Sequence, residues 1–126
     1  MTVWRALIVL SAVLAVGAGS SSAMADALPK RIGQCSNTTI SEIGERLQGS
    51  GRGSAVKFRN GGLQIGYDPV AEVARSKDGD PVRMCLVLIP KNCPKGDNRG
   101  RVYETTNLRT KEKWKMQDSS HSCGGA

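Results

Sequence analysis

The chain has 126 residues, with 18 Lys/Arg against 11 Asp/Glu, a formal net charge of +7, four cysteines and one histidine. That length holds one domain behind a leader and is too short for a second domain of ordinary size. The positive surplus rules out an acidic, solvating chain and admits anionic partners, while the even cysteine count favours disulfides over free thiols.

Residues 1–25 read as a signal peptide. Met1–Arg5 is a short positive n-region, Ala6–Ala18 is apolar apart from Ser11, and Ala23-Met24-Ala25 has the small-x-small form that signal peptidase accepts. The apolar run falls short of the roughly 17–25 residues that cross a bilayer, and no later stretch is apolar enough to span one. Cleavage after Ala25 removes Arg5 and lowers the formal charge by one. It leaves Phe58, Tyr67, Tyr103 and Trp114 as the large aromatics, together with all four cysteines. A core so poor in aromatics makes covalent cross-links valuable.

The remainder divides into a flexible lead-in over 26–34, around Pro29, and a single β-rich domain over 35–126. CSNTTISEIGERLQG (35–49) admits two readings. Ile40, Ile43 and Leu47 recur at helical spacing behind a capping box at Thr39–Glu42. Gly44 and the β-branched cluster Thr38-Thr39-Ile40 favour instead a strand bulged at Gly44, which is the reading preferred here. QGSGRGSA is a glycine-serine turn. AVKFRNGGLQIGY (55–67) alternates on both sides of Asn60-Gly61-Gly62 and predicts a tight hairpin. Val70, Val73 and Ala74 fit one face of a single helical turn, closed by Asp78-Gly79-Asp80-Pro81. VRMCLVLIP (82–90) is almost continuously apolar, as in a strand buried on both faces. RVYETTNLRTKEKWKM (101–116) predicts a second hairpin turning near Arg109–Lys111, with Trp114 and Met116 on one face of its return strand. Six short strands and glycine-rich turns predict a mainly β fold, a small antiparallel barrel or sandwich stapled by disulfides.

TTISEIGERL, FRNGGLQIGYD, GDPVRMCLVLIPKNCPKGDNRGRVYETTNLRT, Trp114 and the closing DSSHSCGGA together resemble a group of small exported alphaproteobacterial proteins with no established activity. The likeness covers Gln34–Ala126, nearly all of the expected mature chain. It implies an envelope protein, periplasmic or secreted, of a Gram-negative bacterium. It also makes the four cysteines and the Gly-Asp and Arg-Gly turns part of the shared pattern. Lys111 stands where that pattern has glycine in the second hairpin turn.

Cys35, Cys85, Cys93 and Cys123 have no close C-x2-C pair, so a Cys3His zinc set of Cys85, Cys93, His121 and Cys123 is disfavoured against two disulfides. Of the three possible connectivities, Cys85–Cys93 with Cys35–Cys123 is preferred: Pro90 and Pro94 turn the chain back, and the second bridge ties the ends. DSSHSC crowds Asp118, Ser119, Ser120, His121 and Cys123 together, but a triad needs members converging from different directions. GSGRGS lacks the G-K-[ST] ending of a phosphate loop, and the Asp-Gly turns lack calcium spacing. No catalytic residue, metal or cofactor is expected.

Function is sought instead in charge. Lys91–Lys115 holds eight Lys/Arg against Asp97, Glu104 and Glu112. Arg99, Arg101, Arg109, Lys111, Lys113 and Lys115 surround Tyr103 and Trp114, which makes this hairpin the candidate binding surface. The expectation is a non-enzymatic module for an envelope protein or anionic polymer, nucleic acid being disfavoured by the exported location. A solvated basic face with both aromatics in the core accounts for the same residues. Two alternatives stand beside it: an inhibitor of an extracellular enzyme such as lysozyme, and a small envelope-polymer hydrolase.

Overall fold

The computed structural model describes residues 12–19 and 27–125. Most of the expected signal peptide, including its cleavage site, lies outside the described residues; 12–19 is exposed and without regular structure. The elements are β1 (Cys35–Gly44), β2 (Ser54–Phe58), β3 (Leu63–Gly66), α1 (Ala71–Ala74), β4 (Pro81–Leu88), β5 (Val102–Asn107) and β6 (Lys113–Gln117). The six strands close into an antiparallel barrel in the order β1-β2-β3-β6-β5-β4. Of barrel and sandwich, it is the barrel. Each half is a meander, β1-β2-β3 and β4-β5-β6, so every pairing within a half is local in sequence. The halves meet twice: along β1–β4, and along β3–β6.

Strand β1 is the preferred strand, not the helix, but its bulge falls at Ser41, between the pairs Ile40↔Phe58 and Glu42↔Lys57, and not at Gly44. Both backbone groups of Ile40 are taken by the next turn: its N–H donates to the Asp80 carbonyl (3.0 Å), and its carbonyl accepts from Gly79 N–H (2.7 Å). The β2–β3 hairpin turns through Asn60-Gly61-Gly62 as expected, with Gly61 at φ 87° and Asn60 Oδ1 accepting from Gly62 N–H at 3.0 Å. Strand β4 is buried on one face, not on both. Val82, Met84 and Leu86 point inward, while Val87 and Leu88 are exposed. The second hairpin turns through Lys111 at φ 64°, the left-handed conformation that favours glycine.

The lead-in expected to be flexible is packed in its described part. Leu28 rests on the core, Pro29 is fully buried, and Gly33 N–H donates to the Leu86 carbonyl at 2.9 Å. A Cβ at Gly62 would come within 3.0 Å of Leu28 Cδ1 and 3.3 Å of Met84 Cε. The small residue there lets the lead-in lie across one mouth of the barrel.

Both disulfides form, but not in the expected pairing: they are Cys35–Cys85 and Cys93–Cys123. Cys35 and Cys85 face each other directly in the β1–β4 ladder, with Cα atoms 4.0 Å apart. Cys85 therefore already has a partner across the sheet. Pro90 and Pro94 do not fold Cys93 back; the connection after β4 carries it to the C-terminal tail, 5.3 Å from Cys123 between Cα atoms. Loops of 50 and 30 residues are closed, for which chain entropy alone gives about 4 and about 3.5 kcal/mol. Peptide mapping without reductant should therefore yield linked fragments containing Cys35 with Cys85, and Cys93 with Cys123. A Cys85–Cys93 fragment would overturn the register of β1 on β4. Two disulfides mark an oxidising, extracytoplasmic environment for the folded chain.

Candidate functional site

The inside of the barrel is filled. Ile40, Val56, Phe58, Val82, Met84, Leu86, Tyr103, Trp114 and Met116 form one contiguous core. Gln64 sits among them with no exposed surface. Its Nε2 donates to the carbonyls of Tyr103 (2.8 Å) and Met116 (3.2 Å), and its Oε1 accepts from the Thr105 hydroxyl (2.7 Å) and Trp114 Nε1 (2.9 Å). An amide has two donor hydrogens and two acceptor lone pairs, so this one is fully satisfied.

The structure divides the residues expected on the basic hairpin into three sets. Tyr103 and Trp114 point inward, 1% and 4% exposed, so neither offers a ring for stacking on the surface. Burial, with the Asp118 charge nearby, pushes the Tyr103 phenol above its ordinary pKa, against the opposing pull of the Arg101 guanidinium. Arg99, Arg101 and Arg109 serve the fold. Arg99 holds Asp97 through two 2.9 Å bonds and donates to the Gly125 carbonyl at 3.1 Å. Arg101 is half-buried beside Tyr103. Arg109 forks onto Asp80 through Nε (2.7 Å) and Nη2 (2.9 Å).

The third set is the surface itself. On β6 the inward positions are Trp114 and Met116, so Lys113 and Lys115 face out. Lys111 is exposed at the hairpin tip. Cross-strand register adds a residue the sequence reading missed: Arg83 on β4 pairs with Thr106 on β5, which pairs with Lys113 on β6. Its position between the buried Val82 and Met84 was a signal that it points outward, but the neighbours it joins depend on strand order. Glu104 stands between the two β6 lysines, 4.0 Å from Lys113 Nζ and 3.7 Å from Lys115 Nζ. Exposed pairs at such distances contribute little, so Arg83, Lys113 and Lys115 share this face with one carboxylate only loosely engaged.

Beside this face lies the thinnest part of the barrel wall. Strands β3 and β6 are joined by a single residue pair, Ile65↔Gln117. After Gly66 the chain leaves β6; a Cβ on that glycine would lie 3.2 Å from Met116 Sδ. The divergence opens an outer cleft of about 310 Å³ lined by Ile65, Tyr67, Asp68, Val70, Lys115, Met116 and Gln117. The Arg46 guanidinium covers the Tyr67 ring at 3.9 Å, and the Tyr67 hydroxyl donates to the Ser120 carbonyl at 3.0 Å.

The tail whose composition invited a triad is an anchor. Asp118 Oδ1 accepts from Gly100 N–H (2.8 Å), Ser119 Oγ donates to the His121 carbonyl, and His121 is exposed. Asp97 accepts from Arg99 and from Gly124 N–H (3.0 Å), and these bonds, led by the guanidinium, hold its carboxyl well below the usual range. Asp97 and Asp118 thus pin the tail to the segment that carries Cys93. Among the described residues, no three His, Cys, Asp or Glu side chains converge on a point that could hold a metal ion. No protein-family model, curated protein or solved structure matches the chain.

Proposed function

We propose that the protein is an exported, non-enzymatic binding module of the Gram-negative cell envelope, periplasmic or secreted. It engages an anionic protein or polymer through the outer face of β4, β5 and β6. The likeness to small exported alphaproteobacterial proteins and the signal-like first 25 residues support the location. The observation that carries the function is the arrangement of Arg83, Lys113 and Lys115 around the loosely held Glu104, with Lys111 exposed at the tip of the same hairpin. These cations sit on a stapled sheet, so little order is lost when a partner docks on them.

Reversing Lys111, Lys113 and Lys115 together to glutamate tests the assignment. All three are exposed, and the variant is expected to stay folded, its unfolding midpoint lowered only by the new carboxylates beside Glu104. Its affinity for dextran sulfate at low salt is expected to fall by at least about tenfold, a loss of about 1.4 kcal/mol. Wild-type binding is expected to weaken steeply as salt rises. Equal retention of wild type and variant on dextran sulfate would remove the basis of this reading.

A further inference from the structure

In an antiparallel ladder the N–H and C=O groups of a strand point alternately to its two neighbours. Strand β6 pairs five of its residues with β5 but one with β3. The side of β6 that faces β3 is therefore without a ladder over Lys113–Met116, where β3 has already turned away. The backbone groups of Trp114 and Met116 point to β5, so the groups left on the β3 side are those of Lys113 and Lys115. The cleft of about 310 Å³ lies along this edge, with an apolar floor of Ile65, Val70 and Met116.

From these features we infer that the cleft takes an extended, acidic polypeptide segment, which adds as a short strand beside β6. The inference rests on the basic face proposed above and names its partner chemistry. An open strand edge is matched by another backbone, not by a sugar ring or a globular knob, because the edge offers donors and acceptors at the strand repeat. At a rise of about 3.3 Å per residue, three or four residues of partner cover Lys113–Met116. Alternate side chains of the added strand point to opposite faces. One set turns inward toward Val70 and Met116; the other lies level with Ile65, Lys113 and Lys115 on the outer face, where carboxylates find cations. Asp68, also in the lining, disfavours an acid placed against it. Positively charged segments are turned away by Lys111, Lys113, Lys115 and Arg83, which sets the sign of the partner.

The probes are a short capped peptide alternating glutamate and valine, and the same peptide N-methylated on the residues that would bond to β6. Dextran sulfate serves as the non-peptide polyanion. The parent peptide is expected to bind, to slow amide exchange within Lys113–Met116, and to bind at least about tenfold more tightly than its N-methylated form, because methylation deletes backbone donors without changing charge. Ile65→Glu, an outward position on the cleft floor, is expected to abolish peptide binding and leave dextran sulfate binding intact. Equal affinity of the two peptides, or no change in amide exchange over Lys113–Met116, overturns the strand-addition inference. If dextran sulfate binds and the peptide does not, the inference falls and the basic-face reading stands. If neither binds, both fall.

Discussion

Replacing Gln64 by leucine is expected to cost about 3–5 kcal/mol, a large share of the 5–15 kcal/mol that holds a typical domain folded. Leucine fits the volume roughly but makes none of the four hydrogen bonds of the amide. Trp114 Nε1 and the Thr105 hydroxyl then lose their shared acceptor inside the barrel, and the carbonyls of Tyr103 and Met116 lose a donor. Each buried polar group left without a partner costs about 1–3 kcal/mol. Urea unfolding followed by far-UV circular dichroism, which reads the strands and does not depend on Trp114, measures the loss. A second change, Trp114→Phe, removes one of the stranded donors, so the double variant is expected to lose less than the sum of the two single losses. A loss below about 1 kcal/mol for Gln64→Leu would show that the amide does not hold the thin β3–β6 seam.

Asp80→Asn is expected to cost about 2–3 kcal/mol at neutral pH, with the deficit closing in acid. The Asp80 side chain is 7% exposed and accepts from Arg109 Nε and Nη2, from Asn107 Nδ2 (2.9 Å) and from Lys77 N–H (2.9 Å). An asparagine amide turns a donor toward these donors. The Arg109 guanidinium, ahead of the other bonds and against the cost of burial, holds the Asp80 carboxyl well below the usual carboxylate range. Its folded-state pKa is thus lower than its unfolded value of about 4. The stabilisation is complete above the unfolded value and is lost as pH falls through the folded one. Wild type and Asp80→Asn should accordingly differ most above about pH 5 and converge below about pH 4. A constant gap in denaturation midpoint from pH 7 to about pH 2 would rule this linkage out.

Some of the molecule was legible because the signal was local. The two hairpins, the helical turn at α1 and the turn at Asp78–Pro81 each follow from residues a few positions apart. Strand β3 shows where such reading stops. Its alternation of Leu63 and Ile65 with Gln64 is plain, yet the polar residue is the one inside, because four partners on β5 and β6 satisfy it there. Period gives the two faces of a strand; which face is inward depends on residues about forty or fifty positions away. The disulfides failed for the same reason. Cys35 meets Cys85 because β1 lies beside β4, a pairing no local pattern announces. The basic hairpin was visible as composition, but Arg99 and Arg109 are spent on Asp97 and Asp80, and Arg83 joins the lysines through two strand registers.

The Cys35–Cys85 bridge spans the boundary between the two meanders. Exchanging β1 with β4, β2 with β5 and β3 with β6 maps the strand order onto itself, so the halves are related by an approximate two-fold in connectivity. Such a barrel is open to domain swapping: the first half of one chain can close on the second half of another through the same pairings. Swapping requires the halves of one chain to part, and a covalent link from β1 to β4 forbids it once made. Once formed within a single chain, the Cys35–Cys85 bridge holds that chain's two halves together and closes this route to exchange.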